Sequence, residues 1–547
     1  MTLTTRLRLL VLLTLTLGGC ANNAPDAAKS TSPVAASPST STRTATTAAP
    51  SPSGISGEAA AQMQALLAEK KSRTPAQAKL DSHIVLEAKR RRGDPALSSL
   101  SSLKSTLKLS EAGMLRVDIK GTIDDALIAH IKQLGGSVIA SVPRFHQVQA
   151  DMPIDALEIL AADKQVHSIM PALGMTTRKV DTSEGDVAHR ANLARSTYSL
   201  NGSGITIGVM SDGVDSLAAR QASGDLPGSP QLTVLPGRSG SGDEGTAMME
   251  IVYDLAPGAK IIFATAYNTE AEMAQNILDL RTAGANIIVD DVAYFAEAAF
   301  QDGAIAQAVD TVTASGALYF SSAGNDGNLA DGTASGYEGD YSGTTIPSVL
   351  NDPQKYGPPQ DVHNFGGTSP KADPITKDPP VLVTLQWSDP FGASNNDYDL
   401  FLLNSALTAV VDASTGSQTG LQDPLEYLDS SVRNDNNRSL VVGRYAGSAR
   451  MLRLSTHGGR VSKATNGQIW GHCAAANSFA VAAVDANTAS GGAFVGGATN
   501  PFETFTSDGP RRVFYDSTGA AITPGNFLSS GGKLRQKPEL TAADGVS

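Results

Sequence analysis

The feature that most constrains this chain is a series of short, continuously apolar runs between residues 204 and 322. They are GITIGVM (204–210), GAKIIFATA (258–266), ANIIVDDV (285–292) and ALYFSS (317–322). Two helical patterns, AEMAQNILDLRTAG (271–284) and AIAQAVDTVTASG (304–316), separate the later ones. Strands without polar alternation must be buried on both faces, and helices between them make the connections parallel. The chain is therefore expected to form an α/β fold with a parallel sheet and helices on both faces. Ligands on such sheets bind at the carboxyl ends of the strands.

The region before it reads differently. Residues 58–92 look helical, and their end, KRRR (89–92), reads as a solvated helix terminus. From Met114 the pattern is MLRVDIKG, DDALIAHIKQLGG, SVIASV, FHQVQADM, IDALEILAADKQV and HSIMPAL, in the order β-α-β-β-α-β. We group 58–176 as a helical segment followed by a small α+β module. Residues 331–464 interrupt the α/β pattern with β-rich runs, including VLVTLQWSDP, DYDLFLLN and SLVVGRYA, and read as a β-sandwich-like insertion. Within it, Asp389, Asp397 and Asp399 have the oxygen chemistry for calcium, but their spacing matches no loop motif, so they read as solvated turn acids.

Residues 1–20, MTLTTRLRLLVLLTLTLGGC, have the basic start and short apolar run of an export signal. The terminal LGGC resembles a bacterial lipobox, which implies lipidation of Cys20 and a membrane-anchored, exported lipoprotein. Residues 21–57, rich in Ser, Thr, Ala and Pro, read as a disordered tether. Cys473 is then alone, so no intrachain disulfide is expected. A net charge of −12 argues against nucleic acid as a partner, since little would neutralise phosphates.

Four stretches, in order, resemble the subtilase and sedolisin group of serine peptidases (the S8/S53 domain). IGVMSDGVD (207–215) resembles the strand and turn of the catalytic aspartate. DEGTAM (243–248), with DLAPGA after it, resembles the histidine motif but has Glu244 at the histidine. SSAGNDG (321–327) resembles the oxyanion segment, and FTSDGP (505–510) with KPELTA (537–542) resembles the approach to the nucleophile. The resemblance covers 178–330 and 465–547, and it makes the α+β module similar to a subtilase prodomain. It implies a serine-type endopeptidase, made as an exported precursor, that hydrolyses peptide bonds of a protein or peptide substrate through an acyl-enzyme. No cofactor is required by it, and calcium is possible.

Its site residues carry over with departures. Ser211 stands where subtilisins have the aspartate, so the role falls to Asp212, with Asp215 and Asp243 as alternatives. Glu244 lies thirteen residues before Pro257, a place similar to that of the sedolisin glutamate, which acts as general base. The sedolisin aspartate would fall at Met248. Glu250 and Asp254 have the right mutual spacing but sit too near Pro257 and should face solvent. A glutamate serves as base when burial and a second carboxylate raise its pKa. Asn325 is the implied oxyanion donor, and unlike a carboxyl it donates at any pH. His472 is the alternative base. The resemblance further implies a serine opening a buried helix soon after KPELTA. Ser369, Ser478 and Ser547 lack that setting. The 547 residues are therefore expected to be a truncated peptidase, inactive as they stand. The alternative is a catalytically inactive binding module, or an accessory surface lipoprotein.

Overall fold

The computed structural model describes residues 54–547 except 101–102, 174, 177–183, 346–360, 368–369, 432 and 547. The lipobox, Cys20, most of the tether, Ser369 and Ser547 lie outside these residues. No described helix is long and apolar enough to cross a membrane.

The N-terminal part contains α1 (Gly57–Lys71), α2 (Ser82–Arg91), β1 (Met114–Gly121), α3 (Asp125–Gln133), β2 (Ser137–Val142), β3 (Gln147–Pro153), α4 (Leu157–Ala161), β4 (Val166–Pro171) and β5 (Met175–Thr176). Strands β1 to β4 form an antiparallel sheet in the order β2-β3-β1-β4. Val117, Ile119, Leu127, Ile131 and Leu157 fill its core. Ser56 caps α1 by accepting the Ala59 N–H at 3.2 Å, and Asp124 caps α3 by accepting that of Leu127 at 2.9 Å.

The α/β part runs α5 (Gly185–Ala188), α6 (Ala191–Tyr198), β6 (Thr206–Ser211), α7 (Leu217–Ser223), β7 (Leu232–Val234), α8 (Glu244–Leu255), β8 (Lys260–Thr265), α9 (Glu270–Thr282), β9 (Ile287–Asp290), β10 (Ala293–Tyr294), α10 (Ala304–Ala314) and β11 (Leu318–Ser322). The insertion follows as β12 (Gly336–Asp340), β13 (Gly343–Thr345), β14 (Asp361–His363), β15 (Asp373–Lys377), β16 (Leu382–Trp387), β17 (Asp397–Leu403), β18 (Val410–Ser414), β19 (Leu425–Asp429), β20 (Ser439–Ala446), β21 (Met451–Ser455) and β22 (Arg460–Val461). The chain then returns with β23 (Ser478–Asp485), β24 (Arg511–Val513), β25 (Lys533–Arg535) and β26 (Leu540–Asp544).

Seven strands make the central sheet, in the order β26-β23-β11-β9-β6-β8-β7, and every pair is parallel. One face packs on α9 and α10 through Met210, Ile288 and Tyr319 against Met273, Ile277 and Val309. On the other face α8 covers only the β7, β8 and β6 half, with Met249 against Val209 and Phe263. The expectation of cover on both faces fails over the remaining half. Along β11 and β23 one set of side chains is buried while the alternate set is not. Leu318 is 47% exposed and Leu540 37%. Phe320 and Phe479 stack on each other there at 4.9 Å. Of the described helices, α5 contacts β26 at the edge of this half, and Met248, Asn325 and Phe505 line a cavity above it.

The insertion is two facing antiparallel layers, one ordered β12-β21-β16-β19 and the other built around β20 and β17. Trp387, Tyr398, Leu400 and Leu452 pack between them. The helical segment docks on this insertion. Met63, Leu66 and Leu86 pack against Phe401, Leu403 and Val441. The readings of KRRR and of the sandwich acids need correction here. Lys89 is buried and bonds Glu69 at 2.8 Å, while Arg90, Arg91 and Arg92 remain exposed. Asp397 and Asp399, two apart on β17, point to the same side and both meet the buried Lys70 ammonium, at 2.5 and 2.8 Å. Asp389 is buried too, accepting from Ser394, Asn396 and Arg450. These acids are therefore not solvated turn residues: each is buried and accepts from protein donors.

Candidate active site

Strand β6 ends in Ser211, which is fully buried, and the chain turns at Asp212. Asp212 Oδ1 accepts the backbone N–H groups of Gly213 at 2.6 Å, Glu244 at 3.0 Å and Gly245 at 3.4 Å. It therefore satisfies the opening N–H groups of α8, which the preceding Asp243 does not cap with its side chain. Glycines make the approach possible. A Cβ on Gly242, whose φ is +114°, would lie 1.9 Å from Asp212 Oδ2, and one on Gly245 would lie 2.3 Å from the Phe263 ring.

The alternatives to Asp212 are also tied to the main chain. Asp215 Oδ2 accepts the Gly242 N–H at 3.0 Å. Asp243 Oδ1 accepts from the Ser216 N–H at 2.8 Å and the Thr246 hydroxyl at 2.7 Å. Burial works to raise the Asp243 pKa, but these donors bring it below the usual value.

Glu244 is the first residue of α8 and is half-buried. Its carboxyl acts on that of Asp291, which follows β9. Asp291 was not singled out from the sequence. Its Oδ1 is sealed from solvent and meets no N–H or O–H donor at hydrogen-bonding geometry. Burial first, and then the hydrogen bond and charge of Glu244, push the Asp291 pKa well above the usual carboxyl value, and Ser211 only partly offsets this. Among the described residues no ion pair forms with either carboxyl.

Asn325 sits in the loop after β11, is exposed, and lines a cavity of about 600 Å³ together with Met248, Asp291, Phe320 and Val481. The floor of this cavity is the uncovered half of the sheet. Asp291, the neighbour of Glu244, and Asn325 thus border one space at the carboxyl ends of β9 and β11. Met248, at the position the resemblance would give an aspartate, lies on that wall.

His472 is elsewhere in chemical terms. It is 2% exposed and held between Glu297, 2.9 Å from Nδ1, and Asp290, 3.0 Å from Nε2. Burial pulls its pKa down, but the two carboxylates overcome this and hold it well above the ordinary value. A locked imidazolium cannot accept a proton. Glu250 is half-buried beside Arg220 at 3.4 Å. Ser478 is buried within β23. The Cys473 thiol is buried and donates to the Trp470 carbonyl at 3.0 Å. Among the described residues no group of three or more His, Cys, Asp or Glu is arranged to hold a metal ion.

One further contact touches the site. β5, directly after the N-terminal module, pairs antiparallel with β10, Thr176 opposite Ala293 and Met175 opposite Tyr294. β10 begins two residues beyond Asp291.

No family profile matches the chain, and no curated protein matches it. Solved structures with a loose likeness are serine proteases. The epidermin leader peptide processing serine protease of Staphylococcus aureus is 15% identical over 40% of this chain and 62% of its own, with a TM-score of 0.29. The chain therefore spans less than two thirds of that protein's length. Fervidolysin from Fervidobacterium pennivorans, a keratinolytic enzyme related to subtilisin, is 16% identical over 40% and 41%, with a TM-score of 0.25. The Clostridium perfringens CspB protease is 11% identical over 64% and 83%, with a TM-score of 0.32. Likeness this loose decides nothing about the chemistry of the present site, which rests on the geometry described above.

Proposed function

We propose that the chain is the base and oxyanion portion of a serine-type endopeptidase of the subtilase/sedolisin group, made as an exported precursor and anchored to a membrane through a lipid on Cys20. The observation that supports this reading is that Asn325 and Asp291, the neighbour of Glu244, line one cavity at the carboxyl ends of a parallel sheet. Glu244 takes the proton of a serine hydroxyl as its oxygen attacks the peptide carbonyl. The Asn325 side-chain amide donates to the oxyanion that forms. Glu244 then returns the proton to the leaving amine, and a water repeats the sequence to release the acyl group. The reading also requires a serine nucleophile beside Glu244, a part that Ser478, buried within β23, does not play.

The β5–β10 pairing supports the precursor reading. The N-terminal module delivers an extended stretch of its own chain beside Asp291, where a substrate strand would pair. Export and the lipid anchor rest on the sequence alone. Cys20→Ala should release the protein from the membrane fraction, and its retention there would refute the anchor.

The peptidase reading is tested with the protein made from its uninterrupted gene. A fluorophosphonate probe should label one serine in it and none in the 547-residue chain. The inactive-module alternative draws on the same open apolar face. It prevails if the complete gene product folds, takes no label and cleaves no peptide.

A further inference from the structure

We propose that Asp291 is the positioning partner of Glu244, the two carboxyls holding one proton between them, and that Asp212 instead fixes the start of α8. The inference rests on the peptidase reading for its purpose but not for its chemistry.

Asp212 cannot easily play the partner's part. Its Oδ1 is committed to the backbone N–H groups of Gly213, Glu244 and Gly245. An acceptor so placed is a helix cap. It locates the Glu244 main chain and leaves the Glu244 carboxyl to other neighbours. Asp291 is that neighbour. Two carboxyls in hydrogen-bond contact cannot both ionise at low cost, so one keeps a proton and donates it to the other.

The surroundings settle which one. Asp291 faces Glu244 from α8, the Ser211 hydroxyl from β6 and the Asp290 carboxylate from its own strand, with no cation among the groups that act on it. Its sealed Oδ1 has no donor to stabilise a charge. The proton is therefore placed on Asp291, with Glu244 at the helix start as its acceptor. β9 lies between β6 and β11 in the sheet, which makes Asp291 a rigid mount. The proton balance then suits the reaction. When the serine O–H bond breaks, the new O–H forms on Glu244, and the pair passes from a charge of −1 to neutral. The negative charge moves to the oxyanion facing Asn325, and return of the proton to the leaving amine restores the pair.

The test is a carboxyl titration of the 547-residue protein by isotope-edited infrared or carbon NMR. Wild type should show a protonated carboxyl that persists at neutral pH. Asp291→Asn should remove that signal, Glu244→Gln should move its titration to lower pH, and Asp212→Asn should leave it in place. If Asp291→Asn does not fold, Glu244→Gln probes the pair from the other side. The proposal is overturned if no protonated carboxyl is present at neutral pH, if Asp291→Asn or Glu244→Gln leaves the signal unchanged, or if Asp212→Asn removes it. In the complete gene product, full turnover with an unchanged pH profile in Asp291→Asn would overturn this inference and spare the peptidase reading. A shared proton in a protein that cleaves no peptide would do the reverse.

Discussion

Two carboxyl pairs in this molecule have been given opposite neighbours. In the insertion, Asp397 and Asp399 receive the Lys70 ammonium, with both bonds under 3 Å. Beside the central sheet, Glu244 and Asp291 form no ion pair among the described residues, and Asp291 borders an open cavity. The first pair is closed by charge. It holds the helical segment to the sandwich. The second must keep a proton to remain buried, and a pair that keeps a proton can pass one on. Carboxyl side chains serve as a strut where a cation is supplied and, in the proposed reading, as acid–base machinery where it is withheld.

That contrast can be broken in several places. The largest effect is expected for Glu244→Gln in the complete gene product, a loss of about 10⁴ in kcat, of the size seen when a triad member is replaced. Steady-state peptide hydrolysis measures it. Lys70→Met should next cost about 3–5 kcal/mol of stability, because it strands two carboxylates in the interior. Urea denaturation of the 547-residue chain reads this, and a loss under about 1 kcal/mol, the worth of an exposed pair, would show that the strut is ornamental. Asn325→Ala should lower kcat by about 10²–10³ and leave KM nearly unchanged.

A pH effect of smaller size separates the two pairs. Around Lys70, burial raises Asp397 to about 7 and Glu426 to about 7, and the Asp81 and Asp412 carboxylates overcome burial to raise His83 to about 9. All three folded values lie above the unfolded ones. Their contributions are therefore complete below the unfolded values and fade as pH rises, from about 4 to 7 for the carboxyls and from 6.5 to about 9 for His83. The urea midpoint should fall between about pH 6 and pH 9, and His83→Gln should flatten the upper part of that fall. The smallest effect is expected from Asp212→Ala, about 1 kcal/mol from loss of a helix cap.

The parallel sheet could be read from the sequence because a strand buried on both faces needs an unbroken apolar run, and β6, β8, β9 and β11 each supply one. Glu244 and Asn325 were legible because both stand in local motifs at the ends of such runs. Asp291 was not. Its meeting with Glu244 depends on β9 lying next to β6 in the sheet, an order that local pattern does not encode. The one signal was the pair Asp290–Asp291 ending an otherwise apolar strand, an expensive place for two charges. Lys70 and Asp397 lie 327 residues apart, so the sandwich acids looked solvated when read without their partner. The choice of Asp212 rested on its closeness to the glycine turn. The turn does bring it to α8, but against the main chain.

The central claim is that the pair without a cation performs proton transfer, and its most direct test is the pH dependence of kcat/KM in the complete gene product. The account expects an acidic limb, set by protonation of Glu244, that moves when Asp291 is replaced by Asn. An identical profile in the two proteins, or a limb in the histidine range that persists in Glu244→Gln, would contradict it and return the role of base to His472.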